Sequence, residues 1–291
     1  ADIYFAEDIY TLPFVTLIAK LRGAKAYYES RELYAFLGGL RKRKYVQALI
    51  KSIEKFFINR VDLVIATGEM DSEFLEDYYH IKNTIVLRNL PVYKKPEKVV
   101  NLREHLGIGK DQLILLYQGV LLEGRGISII LKAMVDLPEF VLVILGEGEK
   151  RHTFIESAKQ LGVLNRVHFL GSYDQKELKN YTAAADIGLA LIENISKSYY
   201  YALPNKLFEY IMAGVPVLCS NLPQMKEVVE KYKIGESVDL SEDANLISAL
   251  KRWYDDKELL INYKDNCLKA SEELNWQLEF DRVKSKLLQN D

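Results

Sequence analysis

An α/β fold built on parallel sheets is predicted for this chain by three observations. Short apolar runs recur at Leu113–Gln118, Phe140–Leu145, Arg166–Leu170, Asp186–Leu191 and Val215–Cys219. Helical patterns separate them, at about Ile127–Asp136, Lys150–Leu161, Gln175–Ala184 and Asn205–Ala213, the rhythm of a doubly wound parallel sheet. Val215–Cys219 is apolar without alternation, consistent with a parallel strand buried on both faces. Glycine turns follow two of them, at Gly119–Gly126 and Gly146-Glu147-Gly148.

The first part of the chain follows the same rule. A strand at Ile3–Ala6, a helix at Thr11–Leu21 and a strand at Lys25–Tyr28 lead into a charged loop, Glu29-Ser30-Arg31-Glu32-Leu33-Tyr34. Loops leaving the carboxyl ends of parallel strands are where open α/β sheets bind ligands. A long amphipathic helix is predicted over Leu40–Asn59, with Arg41-Lys42-Arg43-Lys44 at its start and an apolar stripe of Val46, Leu49, Ile50, Ile53, Phe56 and Phe57. Two readings of that helix stand: an interfacial membrane helix, and a core-facing helix with a wet basic side, the second favoured. Val61–Thr67 and Thr84–Leu87 read as strands around a helix at Asp71–Tyr79.

Residues 92–110 break the pattern, and the charged stretch around Pro96 reads as an interdomain linker, with a short helix at Asn101–Leu106. Three helices close the chain, at about Asp243–Trp253, Lys257–Ser271 and Trp276–Gln289. The division expected is 1–95, 96–270, and a C-terminal helix in 271–291 crossing back to the first domain. The length of 291 residues agrees with about two domains.

Composition excludes several classes. A net charge of −2 argues against a dedicated nucleic-acid binder. Cys219 and Cys267 make no disulfide framework, and their plain reading is reduced thiols in a cytoplasmic protein. His80, His105, His152 and His168 are scattered without metal-ligand spacing. No apolar run approaches the ~18 residues of a membrane span, and Ala1–Asp8 does not read as a signal peptide.

The stretch Ser198–Ser220 carries the chemistry. Pro204 suits a helix start, Leu207, Phe208, Ile211 and Met212 form the apolar stripe, and Gly214 suits the helix end. Asn205 and Lys206 occupy the first turn, where free N–H groups and the dipole attract anions and where acidic residues are preferred. A lysine placed against that preference points to a bound phosphate, and Glu209, one turn on, is within reach of a hydroxyl-bearing group attached to it. The plain alternative is a surface Lys206–Glu209 pair worth a few tenths of a kcal/mol. On the glycine loop, Arg125 between Gly124 and Gly126 offers a phosphate fork at another helix start. The loop is neither a Walker motif nor Gly-x-Gly-x-x-Gly. No Asp-x-Asp is present to chelate a metal. Arg125, Lys206 and a helix N-terminus could hold a diphosphate unaided.

Together, Tyr117-Gln-Gly, Glu123-Gly-Arg-Gly, Gly146-Glu-Gly and Pro204-Asn-Lys-Leu-Phe-Glu-Tyr-Ile-Met-Ala-Gly-Val-Pro-Val resemble retaining glycosyltransferases of family four. The likeness covers nearly all of the second domain and, more loosely, residues 1–95. It implies the GT-B fold, two Rossmann-like domains facing a cleft, with the first incomplete here because its opening strands and their glycine-rich loop are missing. It implies a nucleotide-sugar donor on the second domain and a sugar or lipid-linked acceptor mainly on the first. Donor contacts implied by the resemblance are Gly119, Arg125, Gly126, Gly146, Glu147, Tyr173, Tyr201, Asn205, Lys206, Leu207 and Glu209. Glu209 matches the second glutamate of Glu-x7-Glu, which binds ribose hydroxyls, and Gly171-Ser172-Tyr173 matches the loop that holds the base.

The chain departs from the family at several points. The first glutamate of Glu-x7-Glu falls on Tyr201, and the usual arginine of the glycine loop falls on Val120. Lys206 is then expected to take over the phosphate role. Glu29-Ser-Arg-Glu32 resembles a segment that often reads Asp-Ser-His-Glu, so the acceptor-side catalytic assignment passes to Arg31 and Glu32.

The expected function is metal-independent, cofactor-free transfer of a sugar from a nucleotide-diphosphate donor to a hydroxyl, with retention. The expected setting is the cytoplasm, at the inner membrane face if the basic helix touches lipid. The rivals are a nucleotide-sugar epimerase of the same fold, which would need acid/base groups in the cleft, and a truncated, non-catalytic nucleotide-binding module.

Overall fold

The computed structural model describes residues 1–94 and 98–288. Its chain divides into two units: unit 1 holds Ala1–Asn89, Asn194–Leu203 and the chain from Leu278, and unit 2 holds Leu90–Glu193 and Pro204–Gln277. The change of unit thus falls at Asn89/Leu90 and again at Gln277/Leu278, where the sequence reading set 95/96 and 270/271. Pro96, the expected linker proline, and Gln289, the expected helix end, lie outside the described residues.

In unit 1, strands β1 (Ile3–Ala6), β2 (Lys25–Ser30), β3 (Leu63–Ala66) and β4 (Thr84–Val86) form one parallel sheet in sequence order. Helices α1 (Leu12–Arg22), α2 (Lys44–Ile58) and α3 (Glu69–Tyr79) connect them. Asp8 accepts the Thr11 N–H at 2.8 Å, Pro13 lies in the first turn of α1, and Gly23 ends the helix at φ +64°. Strand β2 runs two residues past the expected Tyr28, so Glu29 belongs to the strand and Arg31 and Glu32 open the loop.

Helix α2 departs most from expectation. It begins at Lys44, because Gly38–Leu40 forms a 3₁₀ turn and Arg43 lies outside helical space at φ −115°. Its fully buried residues are Glu54 and Ile58. Glu54 accepts the Tyr28 and Tyr79 hydroxyls at 2.8 and 2.6 Å. Burial pushes its carboxyl above the usual range, against those two hydrogen bonds. The stripe that read as core-facing is split: Val46, Leu49 and Phe56 are exposed, whereas Ile50, Ile53 and Phe57 are half-buried and Phe57 packs on the unit 1 core. The core-facing reading therefore holds for one side of the stripe and not the other, since periodicity reports an apolar face but not how much of it is covered.

Unit 2 holds α4 (Leu102–Leu106), β5 (Leu113–Gln118), α5 (Ile127–Ala133), β6 (Phe140–Leu145), α6 (Arg151–Gln160), β7 (Val167–Gly171), α7 (Gln175–Thr182) and β8 (Ile187–Ala190). After a short helix assigned to unit 1, α8 (Lys197–Tyr200), follow α9 (Asn205–Met212), β9 (Val217–Ser220), α10 (Pro223–Tyr232), β10 (Gly235–Val238), α11 (Asp243–Asp255) and α12 (Lys257–Glu273). The sheet is parallel, in the order β10-β9-β8-β5-β6-β7. Strand order reverses between β5 and β8, and open α/β sheets bind ligands beyond the carboxyl ends at such a switch. The core beneath it gathers Leu115, Leu142, Ile144, Leu189, Leu218 and Trp253. The sequence reading lacked α8, α10 and β10.

Helix α13 (Trp276–Leu288) carries the chain back to unit 1, where Val283 and Leu287 pack on Tyr27, Leu63, Ile65 and Ile85. Buried Glu279 fixes it there, accepting from the Arg88 backbone N–H and Nη2 at 2.8 Å and from Arg282 at 2.8 Å. No helix among the described residues is long and apolar enough to cross a membrane.

Candidate active site

The side chain that organises unit 2's site is Lys206, and the reason is local. Pro204 precedes α9 in extended conformation at φ −75° and ψ 143°, no side chain caps the helix, and its first turn carries no acid. Tyr210, one turn beyond Lys206, fixes the helix in place. Its ring lies against Gly188, where a Cβ would stand 2.4 Å from it, and its hydroxyl reaches the Leu116 carbonyl at 3.0 Å and the Leu189 carbonyl at 3.3 Å. The helix start is thereby pinned over the β5–β8 switch.

Lys206 is only 8% exposed. Its Nζ sits 3.6 Å from the centre of the Tyr117 ring and has no hydrogen-bond partner among the described residues. Gly119 lies beside it: a Cβ there would meet Cε and Nζ at 3.5 Å, an ordinary contact, and what calls for glycine at this position is its φ of +129°. Burial drives the Lys206 ammonium well below its usual range; the Arg125 charge adds to the depression and Glu209 opposes it. Arg125 and Lys206, the two cations expected on a diphosphate, therefore act on one region. A buried amine without a hydrogen-bond partner, beside a helix N-terminus, is chemistry that would suit an anion.

Glu209 is not on an exposed flank. It is half-buried, hydrogen-bonded to the Gln118 amide, and its carboxyl is raised by burial. Gln118 in turn accepts the Thr182 hydroxyl at 2.8 Å. Asn205 is exposed, and its N–H and that of Lys206 have no partner among the described residues. Leu207 contributes nothing to that open turn: its side chain is fully buried, and its N–H donates to the Pro204 carbonyl at 3.0 Å.

The glycine turns stack on one another. The Gly119 N–H donates to Leu145 at 2.9 Å and the Gly146 N–H to Gly171 at 2.7 Å, tying the ends of β5, β6 and β7. Gly126 packs on Leu191, where a Cβ would stand 2.4 Å from the leucine Cβ. Glu193 completes this edge, its N–H reaching Gly124 at 3.0 Å and its carboxylate accepting the Gly126 N–H at 3.4 Å. Glu147 pairs with Arg151 at 3.4 Å. Tyr173 lies 4.1 Å, ring to ring, from Tyr181, and that hydrogen-bonded neighbour raises its phenol to about 12.

Three expected residues lie in unit 1. Tyr201 packs on Phe74 at 5.8 Å and joins the unit 1 core. Arg31 is held by Glu29 at 3.2 Å and Glu7 at 3.4 Å, and Glu32 is exposed beside it. The sequence reading missed Gln118 and Glu193; each directly ends or follows a strand at the switch, the one signal that could have found them.

The family model for glycosyl transferases group 1 matches residues 98–270, more than half of the chain, and the chain belongs to that family. The alpha-monoglucosyldiacylglycerol synthase of Streptococcus pneumoniae is 23% identical over 199 residues, 65% of this chain and 44% of its own length. The lipopolysaccharide core biosynthesis glycosyltransferase LpsE of Rhizobium meliloti is 26% identical over 157 residues, 54% of this chain and 44% of its own. HepE of Anabaena, solved in complex with UDP, superposes with a TM-score of 0.79 at 17% identity, covering 99% of this chain and 79% of HepE. Sucrose-phosphate synthase of Thermosynechococcus elongatus does so at 0.79 and 19%, covering 100% of this chain and 74% of its own. The fold is therefore GT-B. The chain spans 34% to 44% of the length of three curated relatives that it matches.

Proposed function

We propose that this protein transfers a sugar, with retention, from a nucleoside-diphosphate sugar to a hydroxyl acceptor. The observation that carries the reading is Lys206, whose buried Nζ lacks any hydrogen-bond partner among the described residues. HepE has been solved with UDP and with UDP-glucose, which supports a donor of that chemistry. The diphosphate lies between Arg125, Lys206 and the open N–H groups of Asn205 and Lys206, with no metal. Glu209 receives the ribose hydroxyls, and Tyr173 flanks the base. Catalysis is then mostly positioning and stabilisation of the leaving diphosphate by fixed positive charge. Arg31 and Glu32, directly beyond the carboxyl end of β2, serve the acceptor.

Each charge-assisted contact contributes about 1.5–3 kcal/mol, or roughly ten- to a hundredfold in affinity. Calorimetry with UDP, in EDTA and in magnesium, is expected to show equal binding by the parent and losses of that size in Arg125→Ala and Glu209→Ala. Binding that collapses in EDTA sinks the metal-free clamp, and binding indifferent to both substitutions sinks the assignment. Product analysis after incubation with UDP-glucose separates transfer to an acceptor from epimerisation and from binding without turnover.

The start of α2 meets a membrane surface in this reading. Its basic run leads into Tyr45, 94% exposed, and Leu49, 61% exposed, and such a mixture suits an anionic interface. Replacing Lys42, Arg43 and Lys44 by serine is expected to remove about 1 kcal/mol per charge. Co-sedimentation with phosphatidylserine vesicles should fall accordingly and fade with salt. Sedimentation unchanged by the triple substitution ends this reading.

A further inference from the structure

Unit 1 carries a groove of about 550 Å³ that none of the donor contacts uses, lined by Arg41, Asn194, Ile195, Ser196, Lys197 and Tyr200. We propose that it is an acceptor subsite, and that it selects a saccharide carrying an anionic group, a phosphate or a carboxylate. The inference rests on the sugar-transfer reading above and supplies what that reading leaves open, the class of acceptor.

Charge is the first argument. Two of the six lining residues are cations and none is an acid. Neither Arg41 nor Lys197 enters an ion pair among the described residues, whereas Arg31, Arg88 and Arg103 all do. The Lys197 ammonium is nevertheless held in place: it lies 5.0 Å from the Tyr201 ring centre, 5.5 Å from Phe74 and 6.0 Å from Tyr200. Aromatic faces orient a cation without neutralising it. This gives the Tyr201 cluster a use: it aims Lys197. Ser196 accepts the Tyr199 N–H at 3.1 Å, which leaves its hydroxyl hydrogen to donate. A cation held in place, a second cation and a neutral donor on one groove match an anionic sugar better than a neutral one, because charge-assisted hydrogen bonds are about twice as strong.

Connectivity is the second argument. The segment that floors the groove leaves unit 2 after Glu193, which is bonded to Gly124 and Gly126 of the glycine loop. It re-enters at Pro204, directly before α9. The groove is thus tethered at both ends to the elements that hold the donor. Its volume falls within the range of small-molecule sites, about 300–1,000 Å³.

The test titrates the full chain, saturated with UDP, with glucose 6-phosphate, glucuronate, glucose and inorganic phosphate. Glucose 6-phosphate or glucuronate is expected to bind at least about tenfold tighter than glucose. Whichever of the two does so assigns the phosphate or the carboxylate. Arg41→Gln and Lys197→Gln should each weaken that probe about tenfold, Lys197→Arg should retain it, and UDP affinity should be unchanged in all three. Arg41 and Lys197 are exposed, so unchanged melting temperatures will show that the variants fold. Glucose binding as tightly as both acidic sugars overturns the proposal, as does an acidic sugar indifferent to both glutamine variants. Inorganic phosphate binding as tightly as glucose 6-phosphate overturns the saccharide. If the parent fails to bind UDP while charge-dependent binding of the acidic sugar persists, the donor reading falls and the anion-selective groove stands.

Discussion

Replacing Lys206 by methionine is expected to make the protein more stable and nucleoside diphosphate binding about ten- to a hundredfold weaker. The gain follows from burial without compensation: Nζ has a ring beneath it and no hydrogen-bond partner among the described residues. Desolvating an ammonium costs several kcal/mol, whereas a desolvated cation–π contact returns about 2. Methionine keeps the apolar stem in its slot beside Gly119 and removes the charge, for a net gain of about 1 kcal/mol or more. The pH dependence has a definite sign. Burial holds the Lys206 pKa in the folded protein well below that of the unfolded chain. The unfolded chain therefore binds the extra proton throughout the interval between the two, and the parent gains stability as pH rises through it. Methionine's advantage is accordingly greatest at low pH and vanishes above the ordinary lysine pKa of about 10.4. An arriving diphosphate restores the charge, so binding to the parent takes up a proton and weakens as pH rises through the same interval. Calorimetry in two buffers of different ionisation enthalpy reads the proton; melting curves from acid to alkaline pH read the stability. A methionine variant that melts lower at every pH, or binds UDP like the parent, shows that Lys206 is a packing residue.

That Lys206 would be buried was not legible, and the reason is physical. Hydropathy places a lysine at the surface, and this one goes under against the ring of Tyr117, a residue far away in the chain. The parallel strands were readable because strands such as Phe140–Leu145, buried on both faces, need apolar side chains at every position. Strand β10, Gly-Glu-Ser-Val at the sheet edge, buries only Val238 fully and reads as loop. Helix α8 and the chain around it read as a connection, since nothing local reveals that Tyr201 packs on Phe74. For α2 the amphipathic pattern was legible but the extent of its cover was not: Phe57 packs on the core while Val46, Leu49 and Phe56 are exposed, because a sequence shows an apolar face before it shows how much lies on it. The cation pair Arg125 and Lys206 was readable from helix-start chemistry; Gln118 and Glu193 needed the strand order, which brings β5 beside β8.

Gly146→Ala is expected to cost about 3 kcal/mol or more, combining backbone strain with overpacking. Its φ of +151° lies in the region that favours glycine, and a Cβ would stand 1.9 Å from the Gly119 carbonyl oxygen. Backbone cannot swing aside as a side chain can. The same residue donates its N–H to Gly171 at 2.7 Å, so relieving the clash pulls apart turns at the ends of β5, β6 and β7 together. The displaced turn is the one that lies against Lys206, and UDP binding should fall with stability. Gly162→Ala is the control in the same unit: φ is +71°, but nothing lies within 4 Å of an added Cβ, so only the strain of about 1–2 kcal/mol remains. Trp253 and Trp276 both belong to unit 2, and tryptophan fluorescence during urea denaturation therefore reports this unit for both variants. If Gly146→Ala is no more disruptive than Gly162→Ala, the stacked glycine turns do not set the geometry of the site. If it unfolds the unit early while the control does not, close backbone packing is what fixes the floor beneath Lys206.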